Sequence, residues 1–515
     1  MAYQLYPVQP CDLWQYGSLP GEKERVGYTV QIDGQPVTPD KARVSAMPYN
    51  RRWPGHQRDL EQTEIIDFLS FSMDAPVTID ILPPEPFTDV VIRPHSLGIT
   101  PEITPDGHIR FTLPHTAYCT VEPYGRRNAL HIFADPAQDY GVSAEDAHTL
   151  YFAPGVHEVG QIELHSGDTL YLADGAVVYG CITAIDAENI RILGHGILDN
   201  SHNREHILFE SHTENNDSAV NNATRQHTIQ LEYCTHVLID GITIRDSLVY
   251  NVRPIGCRGL TIRNVKIIGC WRFNSDGIDM HNCEDVCIEH CFLRTFDDSI
   301  CVKGFDCYYE GDVEAAVQAA MYRNGQAYDV FRRVLVRNCV IWNDWGKCLE
   351  IGAETRAEEI CNIVFEDCDV IHTCGTILDC CNVDYADVHN VTYRRIRVEV
   401  DEDVPIPRIQ NLDSVPYGEV VPGYTPVLIG AYVLFHHEYS AGGTRRGKNR
   451  ALLFEDIHVY GGGVPVFDFA GYSDAFGCTD IVIRDVYHDG VLLTEPDSYH
   501  LSVGAHCQNI RYTHS

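Results

Sequence analysis

Four aspartates make two short acidic motifs: Asp276 and Asp279 in "NSDGID", and Asp297 and Asp298 in "FDDS". Both lie among valines, isoleucines and cysteines in the stretch 274–304, "NSDGIDMHNCEDVCIEHCFLRTFDDSICVKG". Carboxylates in such surroundings have three readings. Asp and Asn are good turn formers, so the motifs could be solvated turns. Clustered carboxylates also suit calcium. The third reading is acid–base chemistry: carboxylates held close cannot all ionise freely, and one keeps a proton beside an ionised neighbour. Glycoside hydrolysis uses such a pair. One carboxylic acid protonates the leaving oxygen, and a carboxylate activates water or attacks.

The chemistry requires the two motifs to meet in space, and an internal repeat brings them together. An alternating pattern recurs as "IRILGHGI" at 190, "VLIDGITI" at 237, "LTIRNVKI" at 260 and "VCIEHCFL" at 286. It continues as "VLVRNCVI" at 334, "IVFEDCDV" at 363, "VTYRRIRV" at 391, "LLFEDIHV" at 452 and "IVIRDVYH" at 481. Most starts are 23 to 29 residues apart, with longer gaps of 47, 48 and 61 residues. Period-two alternation means strands with one face in and one face out. One such strand per 23 to 29 residues fits a coil of three short strands, and stacked coils make a parallel β-helix. Asp276 and Asp297 are 21 positions apart, about one coil. Stacked strands lie ~4.8 Å apart, so Asp276 and the Asp297–Asp298 pair should be side by side on adjacent coils.

A small apolar residue falls five positions after each motif start: Ile242, Val265, Cys291, Cys339, Cys368, Ile396, Ile457 and Val486. This is the pattern of a stacked interior ladder, and it gives three of the cysteines a packing role. By the same alternation Cys287 should face inward with Cys291, and His290 outward. "HTCGTILDCC" lacks the paired spacing of structural zinc. No metal ligand and no cofactor is expected.

Residues 1–145 lack the repeat. Their short alternating runs separated by Pro and Gly read as an N-terminal β-sandwich. Residues 146–515 read as the β-helix, interrupted near 305–330 by a loop with a short helix and at 401–450 by a long excursion. The class is therefore all-β. The chain has 515 residues, 44% of them hydrophobic, which is ample for such a core. Its 38 basic against 73 acidic residues leave a net charge of −35, which argues against nucleic acid and anionic membranes as partners. The N-terminus has no signal-peptide pattern and no apolar run is long enough to span a bilayer, so the expected location is cytoplasmic, with the 20 cysteines reduced.

"NSDGID" and "FDDSICVKG" resemble the "NTDGID" and "GDDCIAIKSG" signatures of glycoside hydrolase family 28, the polygalacturonases. "YFAPGVHEVGQIELHSGDTLYLADGAVVYG" and "IRILGHGILD" are similar to that family as well. The likeness spans roughly residues 146–400. The segment around "YGRRNALHIFADP" resembles instead the β-sandwich that precedes the β-helix in family 49, the dextranases and isopullulanases. The resemblance implies a right-handed parallel β-helix and hydrolysis with inversion. It implies Asp297 as general acid, Asp276 and Asp298 as the carboxylates that hold and activate water, and Lys303 as the lysine of "IAIKSG". At the family's "GHG" histidine this chain has Lys347, in "DWGKCLEIGAET", followed by Glu350 and Glu354. The "RIK" motif that grips a galacturonate carboxylate has no clear counterpart.

Further binding candidates are Asn274, beside the first motif, and Trp271, Trp342 and Trp345, whose rings suit either sugar faces or a core. "GTRRGKNR" groups Arg445, Arg446, Lys448 and Arg450 on a loop tip or over the cleft, and His281 reads as a surface residue. The expected activity is inverting hydrolysis of an α-linked oligosaccharide, a galacturonide or a neutral glycan fragment. The alternatives are a polysaccharide lyase or intramolecular glycosyl transferase on the same fold, or a non-catalytic glycan-binding β-helix. An oligosaccharide is the expected partner, and the sequence is compatible with a homo-oligomer.

Overall fold

The computed structural model describes residues 2–14, 17–46, 60–203, 227–272, 274–305, 313–401, 425–436, 440, 445–495 and 498–515. Two sheets form the N-terminal part. One contains Asp40–Ser45, Thr63–Met73, Val91–Arg93, Ala117–Arg126 and Leu130–Pro136, with Tyr3–Leu5 at its edge. The other contains Thr29–Ile32, Gln35–Val37, Val77–Leu82, Glu102–Ile103 and Ile109–Leu113. Their inner faces share one core, with Ile32, Ile79 and Phe111 of one sheet packed against Phe71, Cys119 and Ile132 of the other. This is the sandwich packing that alternating strands require.

From Thr149 to Thr513 the described strands, apart from the hairpin Tyr322–Arg323 with Gln326–Ala327, join a single array of 30, coiled into a right-handed parallel β-helix. One coil consists of Ile278–His281, Glu284–Glu289 and Phe292–Thr295. The next consists of Ile300–Lys303, Val330–Arg337 and Val340–Asn343. Leu349–Ala353, Glu359–Glu366 and Asp369–His372 follow. In later coils the second and third strands fuse into one, as in Asp387–Val400 and Lys448–Gly461. The expected interior ladder is present, with all eight of its residues buried in one continuous core.

Each ladder residue follows a residue with positive φ: Gly241, Asn264, His290, Asn338, Asp367, Arg395, Asp456 and Asp485. That left-handed bend turns the chain from the second sheet to the third, and Asn and Asp tolerate it best among non-glycine residues. The bend also resets the alternation. Cys287 therefore stands on the outer face beside the buried Val286 and Ile288, while Cys291, beyond the bend, points in. Counting even steps across His290 is what misplaces Cys287.

The interruption near 305–330 carries the α-helix Val313–Met321, whose Val317 and Met321 pack on Phe305, Tyr328 and Tyr385; residues 306–312 lie outside the described set. The segment 401–450 is not one excursion. Val427–Val433 within it returns to the solenoid and pairs with Leu378–Asn382, while 402–424, 437–439 and 441–444 lie outside the described residues. No helix of the described residues is long and apolar enough to cross a membrane.

The sandwich docks on the flank of the β-helix through Phe68, Tyr118 and Phe133, packed with Phe292, Trp342 and Ile371. Buried ion pairs cross this interface. Lys266 meets Asp135 at 2.8 Å, and Arg126 meets Asp344 at 2.7 Å. His372 lies between Glu122, at 2.9 Å, and Asp401, at 2.8 Å.

Candidate active site

The two acidic motifs are the turns that lead into stacked strands Ile278–His281 and Ile300–Lys303. The third turn, Trp345–Cys348, leads into Leu349–Ala353. Carboxylate oxygens of Asp276, Asp297 and Asp298 lie within 4.8 Å of one another, as one-coil spacing requires. Asp276 is the deepest, 2% exposed, and Asp297 is 6% exposed. Asp298 keeps 15% of its side chain open.

Backbone groups fix these turns. Asn251 donates from its backbone and its side chain to the Asp276 carbonyl, at 2.9 and 2.7 Å. Asp298 N–H donates to Asp297 Oδ1, and Lys347 N–H donates to Asp298 Oδ1, both at 3.0 Å. Asn343 sits beneath both turns and donates to the Asp297 carbonyl at 2.6 Å and the Lys347 carbonyl at 3.2 Å. Gly346 makes the arrangement sterically feasible. A Cβ there would stand 2.4 Å from both Asp297 C and Asp298 N. The third turn lies directly on the Asp297–Asp298 peptide, and only glycine allows that approach.

The outward positions of the strands continue the site. In register run Asp279, Cys301, Glu350, Asp379 and Gly430. Lys303 Nζ lies 2.6 Å from Asp279, 3.6 Å from Asp276, 3.7 Å from Asp298 and 3.6 Å from Glu354. Lys347 Nζ contacts Glu350 and lies 2.7 Å from Asp379. Burial and the neighbouring Asp279 and Asp297 carboxylates push the Asp276 carboxyl well above the usual range, with Lys303 opposing. Asp279 and Glu350 are raised as well, chiefly by burial. Burial tends to lower the Lys303 and Lys347 ammonium groups, but the surrounding carboxylates win and both are raised. One carboxyl of so close a cluster holds a proton, and Asp276 is driven that way.

The structure thus gathers Asp276, Asp297, Asp298, Lys303, Lys347 and Glu350 into one site, with Glu354 at its edge. Asn274 occupies the adjoining turn with φ of 54°. The tryptophans do not offer rings to a groove. Trp271 is 3% exposed, donates to Asp246 at 3.1 Å and stacks under Arg272. Trp345 is 4% exposed and stacks on Phe296 in the interior core. Trp342 lies in the sandwich interface. His281, read as a surface residue, is buried beside Lys303 in register, and its ring bonds the Gly304 carbonyl at 2.9 Å. Burial, then Arg253 and Lys303, drive its pKa well down. The four cations of "GTRRGKNR" have local roles. Arg445 pairs with Glu358, Lys448 and Arg450 pair with Asp387, and Arg446 packs on Phe435.

Site residues that sequence reasoning passed over are Asp379, Asn343, Asn251 and Tyr250, whose ring lies 5.3 Å from Lys303 Nζ. Asp379 was findable, since "ILDCC" places it on the outward register one coil beyond Glu350. The asparagines act through backbone carbonyls, which residue spacing does not reveal.

Three groups of described residues are close enough to share a cation: Asp276–Asp297–Asp298, Asp298–Cys301–Glu350, and on another face Glu359–Cys361–His389. At the first, Lys303 already brings the positive charge an ion would supply.

Residues 172–406 match the family model described as glycosyl hydrolases family 28. A "Probable polygalacturonase" of Vitis vinifera is 34% identical over 87 residues, 16% of this chain and 18% of the relative. A "Polygalacturonase" of Gossypium barbadense is 30% identical over 117 residues, 22% of this chain and 27% of the relative. The chain thus spans under a third of the length of these curated relatives. Among solved structures, Dex49A from Penicillium minioluteum superposes with a TM-score of 0.54 at 15% identity, covering 94% of this chain and 87% of the other. That likeness extends over sandwich and solenoid alike and shows the fold.

Proposed function

We propose that this protein is a glycoside hydrolase acting on an α-linked oligosaccharide, a galacturonide or a neutral glycan fragment, through Asp276, Asp297 and Asp298. The observation that carries this reading is the carboxylate cluster within 4.8 Å on adjacent coils, with Lys303 behind it. The family 28 match over 172–406 supports the same chemistry.

Asp297 is the proton donor to the leaving glycosidic oxygen. Asp276 and Asp298 hold the attacking water and take its proton as its oxygen bonds to the anomeric carbon. Burial holds the shared proton on Asp276 until the sugar binds; it then passes to Asp297, which donates it to the leaving oxygen, and ionised Asp276, steadied by Lys303, takes a proton from the water. The Lys347 N–H fixes the Asp298 carboxyl and the Asp298 N–H the Asp297 carboxyl, which is the orientation that general acid–base transfer needs.

Inversion is the expected stereochemical course. Retention, in which one carboxylate attacks the anomeric carbon directly, is the other course open to paired carboxylates. Product anomers read by NMR on a panel of α-linked oligosaccharides separate the two courses. An unsaturated product would identify a lyase, and a cyclic product a transferase. Turnover of the panel unchanged by Asp297→Asn would remove Asp297 from the donor's role.

A further inference from the structure

Of the three groups close enough to share a cation, two belong to the triad's own site. The third stands apart, on the second strands of two adjacent coils. Glu359 and Cys361 are two positions apart on Glu359–Glu366, and His389 is in register with Cys361 on Asp387–Val400. Their neighbours Ile360 and Val388 point into the core, so the alternation turns all three outward on one face. Ligand atoms of the three lie within 4.8 Å of one another. Cys361 is 3% exposed and His389 8%. His389 Nε2 stands 2.5 Å from Glu359 Oε1, while its Nδ1 is buried with no hydrogen-bond partner among the described residues. Asn362 Nδ2 donates to Cys361 Sγ, and Asn390 Nδ2 donates to Asn362 Oδ1, both at 3.5 Å.

A thiol, an imidazole and a carboxylate are a donor set for zinc, whereas calcium and magnesium take oxygen ligands. A tetrahedral ion bonded at about 2.0–2.3 Å holds its ligand atoms about 3.3–3.6 Å apart, so these side chains need to shift by about 1 Å. Glu359 leaves 38% of its side chain open, which gives an ion its way in from solvent. The cations in register on either side are already engaged. Arg332, on the coil before Cys361, lies 2.9 Å from Glu284, and Arg450, on the coil beyond His389, lies 2.9 Å from Asp387. The Asn390–Asn362 chain supplies the outer-shell donor that steadies a ligating sulfur. From this geometry we propose that Glu359, Cys361 and His389 form a zinc site that ties one coil to the next, with three protein ligands and a fourth position facing solvent. The ion takes Cys361 as the thiolate, and the displaced thiol proton goes to solvent.

The test uses the full-length protein, stripped with a chelator and titrated with Co²⁺ and with Zn²⁺. A single equivalent of Co²⁺ should produce a thiolate-to-metal charge-transfer band, and Zn²⁺ should compete for the same equivalent. Cys361→Ser should abolish the band. Cys301→Ser, which removes the thiol grouped with Asp298 and Glu350, should keep it. His389→Gln should weaken Zn²⁺ binding by at least about 100-fold, beyond the ~10–100-fold of an outer-shell change. X-ray absorption of the wild-type zinc form, showing one sulfur among nitrogen and oxygen ligands, decides the matter if a variant fails to fold. Absence of a bound equivalent, a band that survives Cys361→Ser, or a zinc shell without sulfur overturns the proposal.

Discussion

Replacing Lys303 by methionine removes the ammonium group that four carboxylates share. Lys303 is 3% exposed, and its partners stand 2.6 to 3.7 Å away. Removing one partner of a buried ionic cluster costs about 3–5 kcal/mol, because the remaining charges are left uncompensated. Unfolding entropy of ~2.1 cal/mol/K per residue makes about 1 kcal/mol equivalent to about 1 °C for a chain this long, so the midpoint should fall by about 3–5 °C. The loss should depend on pH, with a definite sign. Burial already raises Asp276 and Asp279 above their ordinary values, and losing Lys303 raises them further. A carboxyl raised in the folded state favours folding at low pH, and that advantage disappears as pH rises through the folded value. Calorimetry should therefore show a small deficit near pH 5 and the full deficit near pH 8. Adding Asp279→Asn to the variant should recover part of the loss near pH 8 by removing one stranded charge. An equal deficit at both pH values, or none, would show that the ammonium does not neutralise this cluster.

Gly346→Ala puts a Cβ 2.4 Å from the Asp297–Asp298 backbone. The third turn must retreat by about 1 Å, which should lower kcat about 100-fold with a stability loss of only ~1–3 kcal/mol; steady-state kinetics beside thermal unfolding check this. His372→Gln removes the cation between Glu122 and Asp401 at the sandwich interface. His372 is raised in the folded state by those carboxylates against its burial, so its contribution is complete below the ordinary histidine value and is lost as pH rises through the folded one. The variant's deficit should accordingly be larger near pH 6 than near pH 9 in denaturant titrations.

The solenoid was legible because its repeat is written twice, in the alternation of each strand and in the ladder from Ile242 to Val486. The encounter of Asp276 with Asp297 and Asp298 followed from coil length alone. Errors arose where local geometry overrides period two. The left-handed residue His290 resets the alternation and turns Cys287 outward. Val427–Val433 was hidden inside a long gap because it is the first strand of its coil, and the ladder marks only the later bend, here at Ile457. The tryptophans and His281 were misjudged for another reason. Type and proximity to a motif do not say which face a residue occupies, and Trp345 lies on the inner one against Phe296. Asn343 and Gly346 shape the site through backbone carbonyls and close approach, which only coordinates display.

The most direct measurement is the NMR time course of product anomers from wild-type protein and from Asp297→Asn on one cleaved α-linked oligosaccharide. The three-carboxylate account expects the inverted anomer from the wild type and a rate lower by about 10²–10⁴ in the variant. Unchanged turnover in Asp297→Asn would contradict it, and the retained anomer as first product would replace the water-activating roles of Asp276 and Asp298 with direct attack by a carboxylate.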